Sequence, residues 1–117
     1  MIKPKDPREL AIAMMSRSTC SVQVGAVLAD GWGIFSWGHN HAGPDGLGEH
    51  AEHNCLKRAH YKRSRGATLY VAAQRKRNGK VITARPCVAC AAMIDKRGMV
   101  VKFRDADGMW KGIGGCR

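Results

Sequence analysis

The sequence predicts an α/β fold built on a mixed five-stranded sheet, and three observations predict it. Helical and strand patterns alternate in the order α-β-β-α-β-α-β-β over 117 residues, enough for one domain, residues 1–117, with a real core. Asp30-Gly31 stands between two apolar runs, as a hairpin turn does. After Arg104 only thirteen residues remain. A parallel crossover needs about a dozen or more before its next strand begins, so the fifth strand must return antiparallel to the fourth.

Each element has its own local signal. "DPRELAIAMMSRS" sets apolar residues at helical spacing behind Pro7, a good first-turn residue, so residues 7–18 read as the first helix. "SVQVGAVLAD" (21–30) is a largely buried strand, and "WGIFSWG" (32–38) is its hairpin partner. The loop "HNHAGPDGLGE" leads into a second helix over about residues 50–63. "GATLYVAAQ" (66–74) is the third strand, which Asn78-Gly79 can extend as a hairpin through "VITA" (81–84). Pro86 opens a third helix, "CVACAAMIDKR" (87–97), and Gly98 ends it. "MVVKFRD" (99–105) is the fourth strand, and the fifth lies near "MWKGI" (109–113). No internal repeat or low-complexity segment appears.

Composition narrows the class. The stretch from Gly31 to Pro44 is the longest without Asp, Glu, Lys or Arg, too short and polar to span a bilayer, so no membrane partner is expected. "MIKPKDPREL" lacks the apolar core of a secretion signal. Five cysteines, two of them as C-x-x-C, argue for a reducing, cytoplasmic setting over a disulfide framework. The net charge is +11, and between Glu52 and Asp95 there is no acid. That interval holds Lys57, Arg58, Lys62, Arg63, Arg65, Arg75, Lys76, Arg77, Lys80 and Arg85. Such a run is either a solvated face or a surface for a phosphate-bearing partner, nucleotide or nucleic acid.

Two short motifs carry chemistry. In "GEHAEHN", His50 and Glu52 open a helix; Glu52 could be no more than an acid complementing the helix dipole. In "ARPCVAC", Cys87 and Cys90 are three apart, so both sulfurs face one side of a first helical turn, where the positive helix end favours thiolates. C-x-x-C alone is also a redox pair or half of a structural zinc site. Together, His50, Cys87 and Cys90 make three ligands suited to Zn²⁺ and leave a fourth tetrahedral position for water. Glu52 is then placed as the group that moves protons beside it. H-x-E followed by P-C-x-x-C is the signature of zinc-dependent nucleobase deaminases.

Over roughly residues 8–112 the chain resembles the cytidine/deoxycytidylate deaminase superfamily, through "RSTCSVQVGAVL", "WGHN", "HAEHN", "ATLYV" and "RPCVAC". "RSTC" followed by "QVGAVL" is most similar to the deoxycytidylate deaminases. The resemblance implies the three-layer cytidine-deaminase-like fold, a homo-oligomer, Asn40 on the nucleotide sugar and the backbone of Ala51 on the base. Asn40 also reads as a turn residue. Only eight residues run from His41 to Gly48, so the effector-binding insert of that family is nearly absent and triphosphate control is not expected. The segment "LYVAAQRKRNGKVITARPC" is longer than the direct link of the tRNA adenosine deaminases, which leans toward cytosine.

Other residues have plainer readings. His53 is a surface or supporting residue, since a fourth ligand would close the water position. His39, His41 and His60 read as exposed polar residues. Cys20 and Cys55 could join His53 in a second metal site, but read more simply as small buried apolar residues. Cys116 reads as a surface thiol. Trp37 is the best of Trp32, Trp37 and Trp110 for stacking a base, although each alone reads as core. Arg17, Arg63 and Arg85 are candidate phosphate contacts.

The expectation is a zinc hydrolase converting a small-molecule cytosine nucleotide, deoxycytidylate, to its uracil counterpart. One alternative is a deaminase of a base within single-stranded DNA or RNA, cytosine or tRNA adenosine, which would show steep salt dependence. Another is a zinc-stabilised nucleic-acid-binding module without turnover, its site closed by a fourth ligand such as His53.

Overall fold

A computed structural model describes residues 6–42 and 49–113. Helix α1 (Pro7–Met15) starts where Asp6 Oδ1 accepts the Arg8 backbone N–H at 2.9 Å, with Pro7 in the first turn. It ends three residues before the expected limit. Arg17 and Ser18 then sit in a turn, their backbone N–H groups donating to Met14 O and Met15 O.

Strands β1 (Val22–Asp30) and β2 (Gly33–His39) form the expected hairpin, with an irregularity between Leu28 and Ala29. β3 (Thr68–Arg75) lies on the other side of β1, antiparallel to it. β4 (Val81–Ile82) folds back on β3 across the Asn78-Gly79 turn, where Gly79 adopts φ +69°. β5 (Val100–Arg104) runs parallel to β3, and β6 (Trp110–Ile113) runs antiparallel to β5.

Among the described residues the sheet therefore has six strands, in the order β2-β1-β3-β5-β6 with β4 beside β3. Five were expected; the sixth arises because Val81–Ile82, within the expected hairpin extension over residues 81–84, pairs with β3 as a strand of its own. Counted from the N-terminus, the fifth strand is β5 and it is parallel to its inner neighbour. The segment near 109–113 that was expected as fifth is the sixth, antiparallel to β5.

The expected second helix is two helices, α2 (Ala51–Lys57) and α3 (Tyr61–Ser64). The break has a local cause: His60 takes an extended backbone and its ring accepts the Arg63 N–H at 3.4 Å, restarting a helix in a new direction. Helix α4 (Val88–Lys96) makes the crossover between parallel β3 and β5. It ends at Gly98, φ +72°, with Gly98 N–H on Asp95 O and Met99 N–H on Ile94 O.

Alternation along the strands sends side chains to two cores. Val27 and Ala72 meet Ala11, Met14 and Met15 of α1 on one face. Ala26, Leu28, Leu69, Val71 and Ala73 meet Cys55, Leu56 and Ile94 of α2 and α4 on the other. Three layers result. Gly38 is what lets α2 lie against β2: a Cβ there would stand 2.6 Å from Asn54 Oδ1 and 2.7 Å from the Cys55 nitrogen.

Candidate metal centre and active site

The first turns of α2 and α4 meet at the carboxyl end of β3. His50 is the residue before α2, in extended conformation with its ring free of any capping duty. Cys87 occupies the same position before α4, where its sulfur accepts the Cys90 N–H. This puts His50 Nδ1 3.2 Å from Cys90 Sγ and 3.7 Å from Cys87 Sγ. All three donor atoms lie within 4.8 Å of one another.

Tetrahedral zinc, with bonds of about 2.0–2.1 Å to nitrogen and about 2.3 Å to sulfur, separates such donors by about 3.6 Å. The group fits that ion. Among the described residues no fourth His, Cys, Asp or Glu joins it. His53 is exposed beside His50 and Cys90, with Nδ1 3.3 Å from Glu49, and its ring nitrogens are not among the grouped donors. Among the described residues a closed structural site thus lacks its fourth protein ligand.

Helix ends were expected to favour both thiolates. Cys90 goes the other way: burial, then the nearby Glu52 carboxylate and the Cys87 sulfur, push its thiol up to about 12. Only a cation between the sulfurs reverses that balance.

Glu52 is 6% exposed on the first turn of α2, and burial raises its pKa against the opposing pull of its own backbone N–H and of His50. It lines a cavity of about 280 Å³ together with Val22, Val24, Asn40, His50 and Ala51. Ala73, Thr83, Ala84, Arg85 and Cys87 complete the walls. The volume is at the small end of ligand sites, which run about 300–1,000 Å³. A buried carboxylate with a raised pKa, beside a metal-binding triad and at a cavity wall, is placed to take and return a proton.

Asn40 is both the turn residue and a wall. Its Oδ1 accepts the Val24 N–H at 2.9 Å and its Nδ2 donates to Val22 O at 2.8 Å, pinning the end of β2 to the start of β1. One N–H and one lone pair of that amide remain for a ligand. Ala51 is fully buried behind the cavity, and Arg85 is exposed at its edge, over the Phe103 ring.

Other candidates are placed elsewhere. Trp37 pairs with Val27, a residue of the α1-side core, so it stands on the sheet face away from α2 and lines no part of the cavity. Trp32, 92% exposed at the hairpin tip, is not core, and Trp110 packs edge-on against Tyr70 near α1. Arg17 is exposed in the turn after α1 and outside the cavity lining. Arg63 forks onto Asp30 at 2.7 and 3.0 Å and covers Phe35, so its charge is already committed. Cys55 is buried as expected, with burial pushing its thiol up to about 12, while Cys20 is half-buried; neither joins a metal group with His53. His39 and His41 are half-buried rather than exposed, edge to face with one another, and His60 is exposed. Cys116 and residues 43–48 of the short loop lie outside the described residues.

Sequence reasoning missed Glu49. Its carboxylate accepts from His41 Nε2 at 2.9 Å, Asn54 Nδ2 at 2.8 Å and Lys57 Nζ at 3.0 Å. Asn54 in turn accepts the His39 N–H at 3.3 Å, so one buried amide ties β2 to the residue preceding His50. The available signal was the spacing of Glu49 from His53 and Lys57, four and eight residues on, along one helix face.

Comparison with known proteins agrees with this geometry. The family model described as the cytidine and deoxycytidylate deaminase zinc-binding region matches residues 3–103. No curated protein sequence matches the chain. Among solved structures, cytidine deaminase from Burkholderia pseudomallei is similar at TM-score 0.73 and 21% identity, over 93% of this chain and 90% of that one. The apo dCMP deaminase of cyanophage S-TIM5 is similar at TM-score 0.64 and 25% identity, over 88% and 83%. The cyanophage enzyme in complex with dCMP and dUMP matches at TM-score 0.62 and 24% identity, over 86% and 82%. With its His/Cys/Cys donor set, buried glutamate and matching fold, the chain belongs to the zinc-binding cytidine and deoxycytidylate deaminase family, whose members are zinc-dependent hydrolases.

Proposed function

We propose that this enzyme deaminates a cytosine mononucleotide, dCMP, to dUMP with release of ammonia. One observation carries the reading: Glu52, His50 and Cys87 line a single cavity, with Arg85 at its edge as the cation for a phosphate. A structural relative at 25% identity that is a dCMP deaminase adds support.

His50 Nδ1 and the sulfurs of Cys87 and Cys90 would hold zinc, which when bound would supply a Lewis acid that lowers the pKa of water. The residues do the rest. A Glu52 carboxylate oxygen takes the proton of the attacking water, delivers it to the ring nitrogen, and transfers a second to the leaving amine. Water adds at C4, the C4–N bond breaks and ammonia leaves, so the atoms of cytosine and water are all accounted for. Ala51 offers backbone groups to the base, the anchored Asn40 amide holds the sugar, and Arg85 holds the phosphate.

Val88 is 89% exposed beside Cys87, an apolar side chain at the rim of a polar site. That exposed apolar side chain supports a homo-oligomer in which a second copy of the chain would cover it, working in the reducing cytoplasm that the free cysteines favour.

The test is conversion of dCMP to dUMP by the zinc-loaded protein, followed by mass, with Glu52→Ala alongside. Product from the wild type and none from the variant is expected. No product from either overturns the mononucleotide reading.

A further inference from the structure

Two segments frame the cavity: Asn40, just after β2, and the start of α2 with His50 and Glu52. The residues next to them, His41 and Glu49, exchange both backbone hydrogen bonds, at 3.1 and 2.8 Å. One side chain then crosses from segment to segment. Glu49 Oε1 accepts from His41 Nε2 at 2.9 Å and from Asn54 Nδ2 at 2.8 Å.

Asn54 carries the connection back to β2. It is 3% exposed, and its Oδ1 accepts the His39 N–H at 3.3 Å. Gly38 permits that contact, because a Cβ there would stand 2.6 Å from the same oxygen. Both ends of the buried amide are therefore used, and loss of the Glu49 acceptor leaves a buried donor unpaired. The other carboxylate oxygen has different partners. Glu49 Oε2 meets Lys57 at 3.0 Å and His53 at 3.3 Å, both exposed and both on α2, so neither contact crosses to β2.

Asn40 is fixed to β1 by its own amide, through Val22 and Val24. The hydrogen bonds that cross from its neighbours to α2 run through Glu49 and Asn54. We propose that Glu49 is a positioning residue for the deamination: through His41 and Asn54 it fixes Asn40, and with it the nucleotide sugar, against the metal site on α2. The proposal rests on the reading of the cavity as a dCMP site. A contact to the sugar is made alike in the ground state and the transition state. Its loss therefore appears in KM, with kcat little changed.

The experiment measures dCMP conversion by zinc-loaded wild type and variants, at matched zinc content and with melting temperatures checked. Glu49→Leu keeps the size and removes both acceptors, so KM should rise by about tenfold or more while kcat falls by less than about threefold. Glu49→Gln keeps one carbonyl oxygen for His41 and Asn54, and its KM should stay within about threefold of wild type. Lys57→Met removes only an exposed contact of Oε2 and should leave KM within about twofold. His41→Leu breaks the clamp from the β2 side without altering α2, and tests it even where Glu49→Leu fails to fold. The two Leu substitutions combined should raise KM no further than Glu49→Leu alone, because they cut one connection. A second readout needs no nucleotide. Hydrogen exchange at the His41 and Glu49 amides should quicken by about tenfold or more in both Leu variants, while the Asn54 amide, bonded to His50 O within α2, stays within about threefold.

An unchanged KM in Glu49→Leu at full zinc content overturns the proposal. So does a Glu49→Gln enzyme as impaired as Glu49→Leu, an additive rise in the double variant, or a fall in kcat with KM intact. If the wild type does not convert dCMP, the mononucleotide reading falls and the exchange rates decide the clamp by themselves. Faster exchange at His41 and Glu49 then upholds it, and unchanged rates overturn it.

Discussion

Burial raises the pKa of both Glu52 and Cys90, and the Glu52 carboxylate adds to the effect on the Cys90 thiol. Glu52→Gln preserves shape and removes the carboxylate's proton transfer. It should keep the fold and zinc content while turnover drops by about 10²- to 10⁴-fold or more, read from kcat at matched zinc occupancy. The Cys90 thiol, pushed up to about 12, must lose its proton when zinc binds. Zinc binding should therefore release protons, and its apparent affinity should climb as pH rises from about 6 to about 8, measured by competition with a chelator. A pH-independent affinity would contradict that account. His50, Glu52, Cys87 and Cys90 were legible in the sequence because each motif is local, with two residues in each helical turn. Glu49 and Asn54 were not, since their roles exist only once His39, His41 and Lys57 converge on them.

At the scale of the element, what matters is how closely α2 can approach β2. Gly38→Ala sets a Cβ against Asn54 Oδ1 and the Cys55 backbone, neither of which can withdraw without moving α2. The expected loss is about 1–3 kcal/mol of stability, with weaker zinc binding because His50 begins that helix. Gly31→Ala, where nothing lies within 4 Å, is the control and should change stability by less than about 0.5 kcal/mol in denaturant titrations. The division of one expected helix into α2 and α3 belongs here too. Residues 58–60 contain neither glycine nor proline, so periodicity ran through them. The first helix ends at Lys57, and the extended backbone of His60, whose ring accepts the Arg63 N–H, begins the second.

For the molecule as a whole, acid is the weak side. Hydrogen bonds from Asn54 and then Lys57 hold Glu49 at about 2, below its ordinary 4.5. The Arg63 guanidinium holds Asp30 at about 2, and Lys111 does the same for Asp105, both below an ordinary 3.8. A depressed folded-state pKa contributes stability that is complete above the unfolded value and is lost as pH falls through the folded one. Unfolding free energy should thus fall between about pH 4.5 and about 2, steepened by a net charge that grows from +11 as carboxylates are protonated. Asp30→Asn should flatten part of that slope; an unchanged slope would show that the Asp30–Arg63 pair contributes nothing.

The sequence by itself determined the α/β class, the hairpin of β1 and β2, the caps at Pro7 and Gly98, and the four residues, His50, Glu52, Cys87 and Cys90, proposed to carry the chemistry. These are features of spacing and backbone chemistry that act within a few residues. Tertiary structure alone decided that Trp37 faces away from the cavity, that Arg63 is spent on Asp30, and that residues 81–82 make a sixth strand. It also decided that Arg75 stands across from Val22 at the cavity rim. The reason is physical: which face a strand residue takes, and which charge finds a partner, depend on register and packing between segments tens of residues apart, and no local pattern encodes that.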